Sequence, residues 1–142
     1  MIPVQEKRKI LFICTHNATR SQIAEGYMRS KYGDRFDVYS AGLTPAPVNP
    51  MTIEVMKEIG IDISGQISKP VDIFFGRDMG TVVTVCDEAT KVCPFFPGAK
   101  EVINQNFPDP SKFTGSPDEI RSRFRLLRDE ITRWIDETFS AS

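Results

Sequence analysis

One stretch near the N-terminus constrains this chain more than any other: Cys-Thr-His-Asn-Ala-Thr-Arg-Ser over residues 14–21. The apolar run before it, residues 10–13, predicts a buried strand. After it, apolar residues recur at helical spacing, which predicts a helix that begins where the loop ends: Ile23, Ala24, Tyr27 and Met28. The unpaired backbone N–H groups of a helix start would therefore face this loop.

The loop contains the residue types needed to bind and attack a tetrahedral oxyanion. Arg20 offers a planar fork of donors that suits such an anion. The same positive field favours the thiolate of Cys14, which is the nucleophilic form. Ser21 can donate a hydrogen bond to that thiolate, and the amide of Asn17 can hold the shape of the loop. The alternative is a structural cysteine near a helix start, which would leave Arg20 without a role. The predicted oxyanion-binding loop comprises Thr15, His16, Asn17, Ala18, Thr19 and Arg20.

Length and composition narrow the class of protein. The 142 residues suffice for one domain, 1–142, with a sizeable core. The net charge of −1 predicts neither a nucleic-acid partner nor a membrane surface. The N-terminus does not resemble a signal peptide, so we expect a cytoplasmic protein. Three cysteines in a reducing compartment argue against a disulfide scaffold, and the single histidine leaves no cluster with metal-ligand spacing, so no metal site is expected.

Strand and helix patterns alternate along the chain and predict an α/β fold. We expect a single three-layer domain with a central parallel four-stranded sheet and helices on both faces. The predicted strands cover residues 8–14, 36–41, 81–85 and 101–103. The predicted helices cover residues 20–32, 50–60, a short stretch within 71–75, and a long final segment that begins near residue 116. Ligands in such folds bind beyond the carboxyl ends of the strands, where Cys14 and Cys86 are both expected on neighbouring strands.

Two of the helices carry patterns that predict their caps and buried faces. Asn49 is expected to cap the second helix, whose inward-facing residues would be Ile53, Met56 and Ile59. Ser116 and Glu119 predict a capping box for the last helix. Its core stripe is expected to comprise Ile120, Phe124, Leu127, Ile131 and Trp134. Three charged residues off that stripe are expected on a solvated face: Arg121, Arg128 and Glu137.

Cys86 and Cys93 flank a segment of good helix formers, residues 87–92. If that segment is helical, seven residues at about 1.5 Å rise separate the two Cα atoms by about 10 Å. A disulfide requires roughly 4.4–6.8 Å, so oxidation of this pair predicts local unfolding of the helix. The alternative is that both cysteines are small buried core residues.

Asp109 is the best candidate for a general acid. It lies after the last predicted strand, on the loop side of the sheet, and displacement at an oxyanion centre needs a proton for the leaving oxygen. The dipeptide Asp109-Pro110 is also a common turn, which is the alternative interpretation. His16 either tunes the field of the loop or only fills it.

With these residues in place, the chain resembles the thioredoxin-coupled arsenate reductases, which are built on the low-molecular-weight protein tyrosine phosphatase fold. The matching stretches span nearly the whole chain and are residues 11–17, 20–26, 39–42, 48–50, 84–94, 107–110 and 128–131. The segment with two cysteines is absent from plain phosphatases, so the cysteine triplet is the most specific part of the resemblance.

The resemblance implies a mechanism for the matching positions. Cys14 attacks arsenate held by the loop amides and Arg20, with Asp109 protonating the departing oxygen. Cys86 then attacks Cys14, which releases arsenite and leaves a disulfide. Cys93 attacks Cys86, and the resulting 86–93 disulfide is exposed to thioredoxin. The implied partners are arsenate, with phosphate or sulfate as analogues, and thioredoxin as electron donor in preference to glutaredoxin; no bound cofactor is expected.

Two positions depart from the patterns of related proteins. Some such reductases bind potassium through positions matching Asn17, Glu25, Ser40 and an acid; here the fourth position is Lys69, whose ammonium can fill the place of the cation. Ser111 stands where phosphatases of this fold usually carry an aromatic residue that grips phosphotyrosine, which weakens the phosphatase alternative.

Three functions remain distinguishable at this point. The leading hypothesis is arsenate reduction with residual phosphatase activity. The alternative is a low-molecular-weight protein tyrosine phosphatase acting through a phosphocysteine intermediate. A third is a non-catalytic oxyanion or redox sensor, which turnover would exclude.

Overall fold

The computed structural model describes residues 7–86 and 96–141. Four strands lie in these ranges: β1 (Arg8–Cys14), β2 (Phe36–Gly42), β3 (Gly80–Thr84) and β4 (Ala99–Asn104). They are accompanied by the α-helices α1 (Arg20–Tyr32), α2 (Pro50–Glu58) and α3 (Pro117–Phe139), and by two 3-10 helices, Val71–Phe74 and Pro110–Lys112. The predicted elements are therefore present, with small shifts at their ends.

The sheet is parallel throughout and has the strand order β2-β1-β3-β4. β1 is central, and its residues 10–13 have no exposed surface, as expected for a strand covered on both faces. Cys14 pairs with Gly42 of β2, while Ile13 pairs with Thr84 of β3. Because these strands run in one direction, the ends of β1 and β3 lie at the same edge of the sheet, as predicted.

Helical segments cover both faces of the sheet. Phe36 of β2 contacts Phe139 of α3, with ring centroids 5.8 Å apart. Tyr39, three residues further along the same strand, points to the opposite face because side chains alternate. There it contacts Phe74 of the first 3-10 helix at 5.7 Å. The predicted α/β architecture, with helical layers on either side of a four-stranded parallel sheet, is confirmed.

The apolar face of α2 differs in part from the prediction. Asn49 caps this helix through its side chain, which accepts a hydrogen bond from the N–H of Met51, as expected. Met56 is buried, but Ile59 is 40% exposed because the helix ends before it. Val55 is fully buried instead, a position that the predicted stripe omitted.

The capping box of α3 is present, since Ser116 and Glu119 exchange side-chain and backbone hydrogen bonds. The core stripe of this helix is confirmed at Phe124, Leu127 and Ile131 and continues to residues 135 and 139, whereas residues 120 and 134 are only half-buried. In the described ranges, every helix is too short or too polar to cross a membrane.

The prediction that Arg128 lies on a solvated face is wrong. The residue is only 8% exposed, and its Nη1 donates to the backbone oxygen of Val55 at 2.8 Å and to Glu58 Oε1 at 2.9 Å. Arg121 is half-buried, and Glu137 alone of the three is exposed. The sequence does not reveal this, because Val55 and Glu58, at the end of α2, reach Arg128 only through tertiary packing.

Glu58 should stabilise the fold in a pH-dependent way. Hydrogen bonds from Arg125 lower the pKa of Glu58 from 4.5 to about 2. Desolvation opposes this lowering, and a hydrogen bond from Arg128 adds a smaller lowering effect. A carboxyl group with a lowered pKa in the folded state stabilises above its unfolded pKa and loses that effect as the pH falls through the folded value. We expect Glu58→Gln to be less stable than the native protein near pH 6, with the difference shrinking between pH 4.5 and about 2. Urea unfolding followed by circular dichroism measures this; a constant difference down to pH 2 would contradict it.

Candidate active site

The sulfur of Cys14 is held at the carboxyl end of β1 by two donors. Cys14 is 1% exposed, and its Sγ accepts a hydrogen bond from the backbone N–H of Asn17 at 3.2 Å. The hydroxyl oxygen of Ser21 lies 2.9 Å from the same sulfur. The Ser21 hydroxyl also accepts a hydrogen bond from Asn17 Nδ2 at 2.7 Å, which leaves its own hydrogen available to the sulfur. The structure therefore places the Ser21 hydroxyl within hydrogen-bonding distance of the sulfur.

Asn17 determines the shape of the loop. Its φ of 52° makes it the only non-glycine residue with positive φ in the described part of the chain. Besides Ser21, its side-chain amide bonds Ser40 Oγ at 2.9 Å and the backbone N–H of Lys69 at 2.9 Å. Asn tolerates the left-handed conformation better than most residues, and these bonds offset the remaining cost.

Several residues that support the loop were not predicted from the sequence. Gln22 is fully buried and donates from Nε2 to the backbone oxygens of Asn17 and Ile67, at 2.9 and 3.0 Å. Ser68 donates to the backbone oxygens of Asn17 and Ala46. The helical pattern gave no signal for Gln22, which lies opposite the predicted apolar stripe, and Ser68 lies in a loop without any such pattern.

Gly42 permits close packing behind the loop. It pairs with Cys14 across the β1–β2 register. A Cβ built on it would lie 2.8 Å from the backbone N of Asn17 and 2.8 Å from the carbonyl carbon of His16. Only glycine therefore fits at this position without displacing the loop.

Arg20 and Asp109 lie close together in a pocket that Cys14 also lines. Arg20 is 6% exposed, and its Nη1 donates to the backbone oxygen of Phe107 at 3.3 Å. Its Nη2 lies 3.9 Å from Asp109 Oδ1. Cys14, His16, Arg20 and Asp109 all line this pocket, whose volume is about 430 Å³. The nucleophile, the cation and the acid predicted from distant parts of the sequence therefore share one cavity.

The surroundings of Asp109 favour its ionised form in the free protein. Partial burial raises the pKa of Asp109, but the hydroxyl and N–H of Ser111, followed by the charges of Arg20 and Lys112, lower it below its ordinary value. The carboxyl group is therefore ionised near neutral pH. A negatively charged oxyanion bound beside Arg20 would offset the charge of the guanidinium and favour protonation.

Cys86 is close to the loop that begins at Cys14. It follows β3 and is 2% exposed, and the preceding residue, Val85, donates its N–H to Ile13 of β1 at 2.9 Å. The hydroxyl oxygen of Thr15 lies 3.4 Å from Cys86 Sγ. Cys93 and the predicted helix between the two cysteines lie outside the described residues, so the redox-coupled unfolding remains a prediction.

The other loop residues anchor the loop to its surroundings. Nδ1 of the exposed His16 donates to the backbone oxygen of Thr44 at 3.0 Å, so this nitrogen carries a hydrogen. The hydroxyl group of Thr19 accepts a hydrogen bond from Thr52 of α2 at 2.9 Å. The carbonyl oxygen of Ala18 accepts one from the N–H of Asn49 at 3.0 Å.

Lys69, which departs from the potassium-binding pattern, lies beside the buried Glu25. Its Nζ lies 3.6 Å from Glu25 Oε1, and that same oxygen accepts a hydrogen bond from Ser40 at 2.5 Å. Glu25 is 3% exposed and also pairs with Arg29 at 2.8 Å. Two cations therefore compensate this buried carboxylate. Within residues 7–86 and 96–141, no group of three or more histidine, cysteine or acidic side chains could hold a metal ion.

Comparison with known proteins defines the class. Residues 9–140 match the family described as low molecular weight phosphotyrosine protein phosphatase, and the chain belongs to this family. Its relatives include an arsenate reductase from Halalkalibacterium halodurans, 46% identical over 134 residues that make up 94% of this chain and 96% of that protein. The resemblance to arsenate reductases predicted from the motifs is confirmed.

Solved structures agree with this assignment. An arsenate reductase in the oxidized state superimposes with a TM-score of 0.78 at 28% identity, covering 94% of this chain and 98% of the other. A thioredoxin-dependent arsenate reductase from Corynebacterium glutamicum matches with a TM-score of 0.62 at 29% identity, covering 93% of this chain and 63% of the other.

Substitutions of Asn17 should lower the stability of the protein by amounts that depend on the new residue. Both Asn17→Ala and Asn17→Gly remove the amide, but alanine keeps a Cβ in the left-handed conformation, whereas glycine removes it. We expect both variants to lose stability and affinity for inorganic phosphate, with the alanine variant about 1 kcal/mol less stable than the glycine variant. Urea unfolding and phosphate titration calorimetry measure the two effects. Equal stability of the two variants would show that the left-handed backbone conformation at residue 17 does not affect the free energy of unfolding.

Proposed function

We propose that this chain reduces arsenate to arsenite through a relay of Cys14, Cys86 and Cys93 that thioredoxin recharges. The observation that carries the proposal is the proximity of Cys86 to the oxyanion loop, where the Thr15 hydroxyl contacts its sulfur at 3.4 Å. Hydrolysis of a phosphate ester through a cysteine nucleophile needs no second thiol. The relatives named arsenate reductases support the same function.

In the first step, the Cys14 thiolate attacks arsenic in an arsenate held by the loop amides and by Arg20. A sulfur–arsenic bond forms, and an arsenic–oxygen bond breaks. The departing hydroxyl group keeps the electron pair and takes a proton from Asp109, leaving as water. No electrons have reached arsenic at this stage, which remains As(V).

In the second step, the Cys86 thiolate attacks Cys14 Sγ. A disulfide forms between the two sulfurs, and the sulfur–arsenic bond breaks with its electron pair remaining on arsenic. Arsenic is thereby reduced to As(III) and leaves as arsenite. Phosphorus does not accept an electron pair from thiols in this way, so a phosphate ester bound in the same loop would be hydrolysed.

In the third step, Cys93 attacks Cys86, which frees the Cys14 thiolate and transfers the disulfide to the 86–93 pair. A dithiol of the thioredoxin type then reduces that disulfide by two successive exchanges. The relay needs no bound cofactor, and we propose the cytoplasm, where such donors operate, as its location. We also propose that the Lys69 ammonium substitutes for a potassium ion, which makes the activity independent of added potassium.

A low-molecular-weight phosphatase is the second candidate function. The presence of Cys14, Arg20 and Asp109 in one pocket favours it, because a cysteine nucleophile, an oxyanion-binding cation and an acid suffice for phosphoryl transfer. We therefore expect residual hydrolysis of aryl phosphates by the same site.

Removing Cys93 should separate the two functions. We expect Cys93→Ser to lose multiple-turnover arsenate reduction by about 100-fold or more, yet to release one arsenite per protein molecule and to hydrolyse an aryl phosphate within about twofold of the native rate. NADPH oxidation coupled to thioredoxin and thioredoxin reductase measures the first activity, and aryl-phosphate hydrolysis the second. Cys14→Ser is the control that should lose both. A parallel loss of reduction and hydrolysis in Cys93→Ser would contradict the relay.

Thr15 should affect the second step of the relay selectively. Thr15→Val removes the hydroxyl near Cys86 with little change in shape, and loss of a hydrogen bond to a thiolate corresponds to about a tenfold lower rate. We expect arsenite release in a single-turnover quench to slow by about that factor, while aryl-phosphate hydrolysis changes far less. Thr15→Ser keeps the hydroxyl and should restore the rate. Equal losses in both activities would mean that Thr15 acts on the loop as a whole.

A further inference from the structure

Both hydrogen bonds that Ser111 donates to Asp109 reach one oxygen of the carboxylate. The backbone N–H of Ser111 donates to Asp109 Oδ1 at 2.9 Å, and the Ser111 hydroxyl donates to the same oxygen at 2.8 Å. Arg20 Nη2, at 3.9 Å, also lies nearest to Oδ1. A carboxylate oxygen that faces three donors is a poor place for a proton.

The local sequence explains this arrangement. Asp109 caps the 3-10 helix Pro110–Lys112, and Pro110 has no N–H, so the first backbone donor available to the cap is that of Ser111. The turn is attached to the core on both sides. Phe107 contacts Trp134 at 6.1 Å between ring centroids, and Phe113 contacts Phe124 at 5.7 Å. Ser111 therefore acts on Asp109 from a turn whose position is fixed by α3.

The other charged or titratable groups near Asp109 come from three directions. Arg20 faces it from α1, and Lys112 follows it in its own turn. Cys14 and His16 line the same pocket from the loop. None of these groups resembles Ser111 in donating two hydrogen bonds to the carboxylate.

We propose that Ser111 is a positioning residue for the acid Asp109: its two hydrogen bonds fix Oδ1 and leave Oδ2 as the atom that carries the transferred proton. The proposal rests on the proposed role of Asp109 in the reaction. As the Cys14 sulfur bonds to phosphorus or arsenic, the bond to the leaving oxygen breaks, and that oxygen takes the proton from Oδ2. Asp109 is then a carboxylate, which the two donors of Ser111 stabilise.

The donors of Ser111 also set the pH at which the proton is available. A hydrogen bond to the ionised form of a carboxyl group lowers its proton affinity. Removal of the hydroxyl should therefore keep Asp109 protonated to higher pH. Because the N–H donor remains in any variant other than proline, the effect of the hydroxyl can be measured alone.

The test compares aryl phosphates that have a poor and a good leaving group, because only the poor one depends on an acid. The kcat/KM for the poor leaving group, divided by the kcat/KM for the good one, falls with rising pH because the acid loses its proton. For Ser111→Ala we expect the midpoint of this fall to move upward by about half a unit to one unit. Ser111→Thr, which keeps the hydroxyl, should restore the native midpoint.

Two further measurements keep the outcomes separate. Asp109→Asn should abolish the pH dependence of the ratio; if the ratio still falls as in the native protein, the acid role of Asp109 fails. If Asp109→Asn behaves as expected but the midpoint is unchanged in Ser111→Ala, the role of Ser111 alone is overturned. Carboxyl-carbon NMR titration of Asp109 in the native protein and in Ser111→Ala provides an independent readout, and an identical titration in both proteins would also overturn it.

Discussion

The left-handed backbone conformation of Asn17 is the constraint on which the rest of the site depends. With φ at 52°, this residue turns its own N–H towards the Cys14 sulfur and its side-chain amide towards Ser21 and Ser40. One residue thus organises the polar groups around the Cys14 sulfur, and its backbone oxygen accepts hydrogen bonds from Gln22 and Ser68. A buried polar network of this kind is stable only when every member is satisfied, and no buried side-chain nitrogen or oxygen in the described ranges lacks a partner.

Electrostatic compensation divides the site into two regions. On one side of the loop, the buried Glu25 carboxylate is neutralised by Arg29 and Lys69 and serves to hold Ser40 in place. On the other side, the carboxylate of Asp109 is only loosely paired with Arg20, at 3.9 Å. The Glu25 carboxylate with its two cations has a structural role, because it accepts the hydrogen bond of Ser40, which in turn holds Asn17. The loose pair can respond to an incoming oxyanion, because Arg20 can exchange the carboxylate for the anion at little cost.

Much of the fold could be predicted from local patterns. The apolar residues of β1, the cap at Asn49 and the capping box of α3 each depend on residues that are close in sequence, and the structure bears them out. The errors have a common origin. Ile59 follows a helix that ends before it, and Arg128 is buried because α2 supplies partners for its guanidinium. Both errors concern the end of one element and its contacts with another, which helical periodicity does not encode.

The sequence by itself determined the chemistry: a cysteine, an arginine and a serine at fixed spacing between a strand and a helix, with two more cysteines and an acid further along. Local hydrogen bonding and side-chain periodicity dictate these features, so they are visible without coordinates. Only the tertiary structure decided which groups meet. Parallel pairing of β1 with β3 brings Cys86 to the loop, and the packing of α3 against the turn at residues 110–112 brings Asp109 to Arg20. The contacts of Thr15 with Cys86 and of Arg20 with Phe107 join residues separated by more than 70 positions, and the burial of apolar surface between elements, rather than any local pattern, sets their distances.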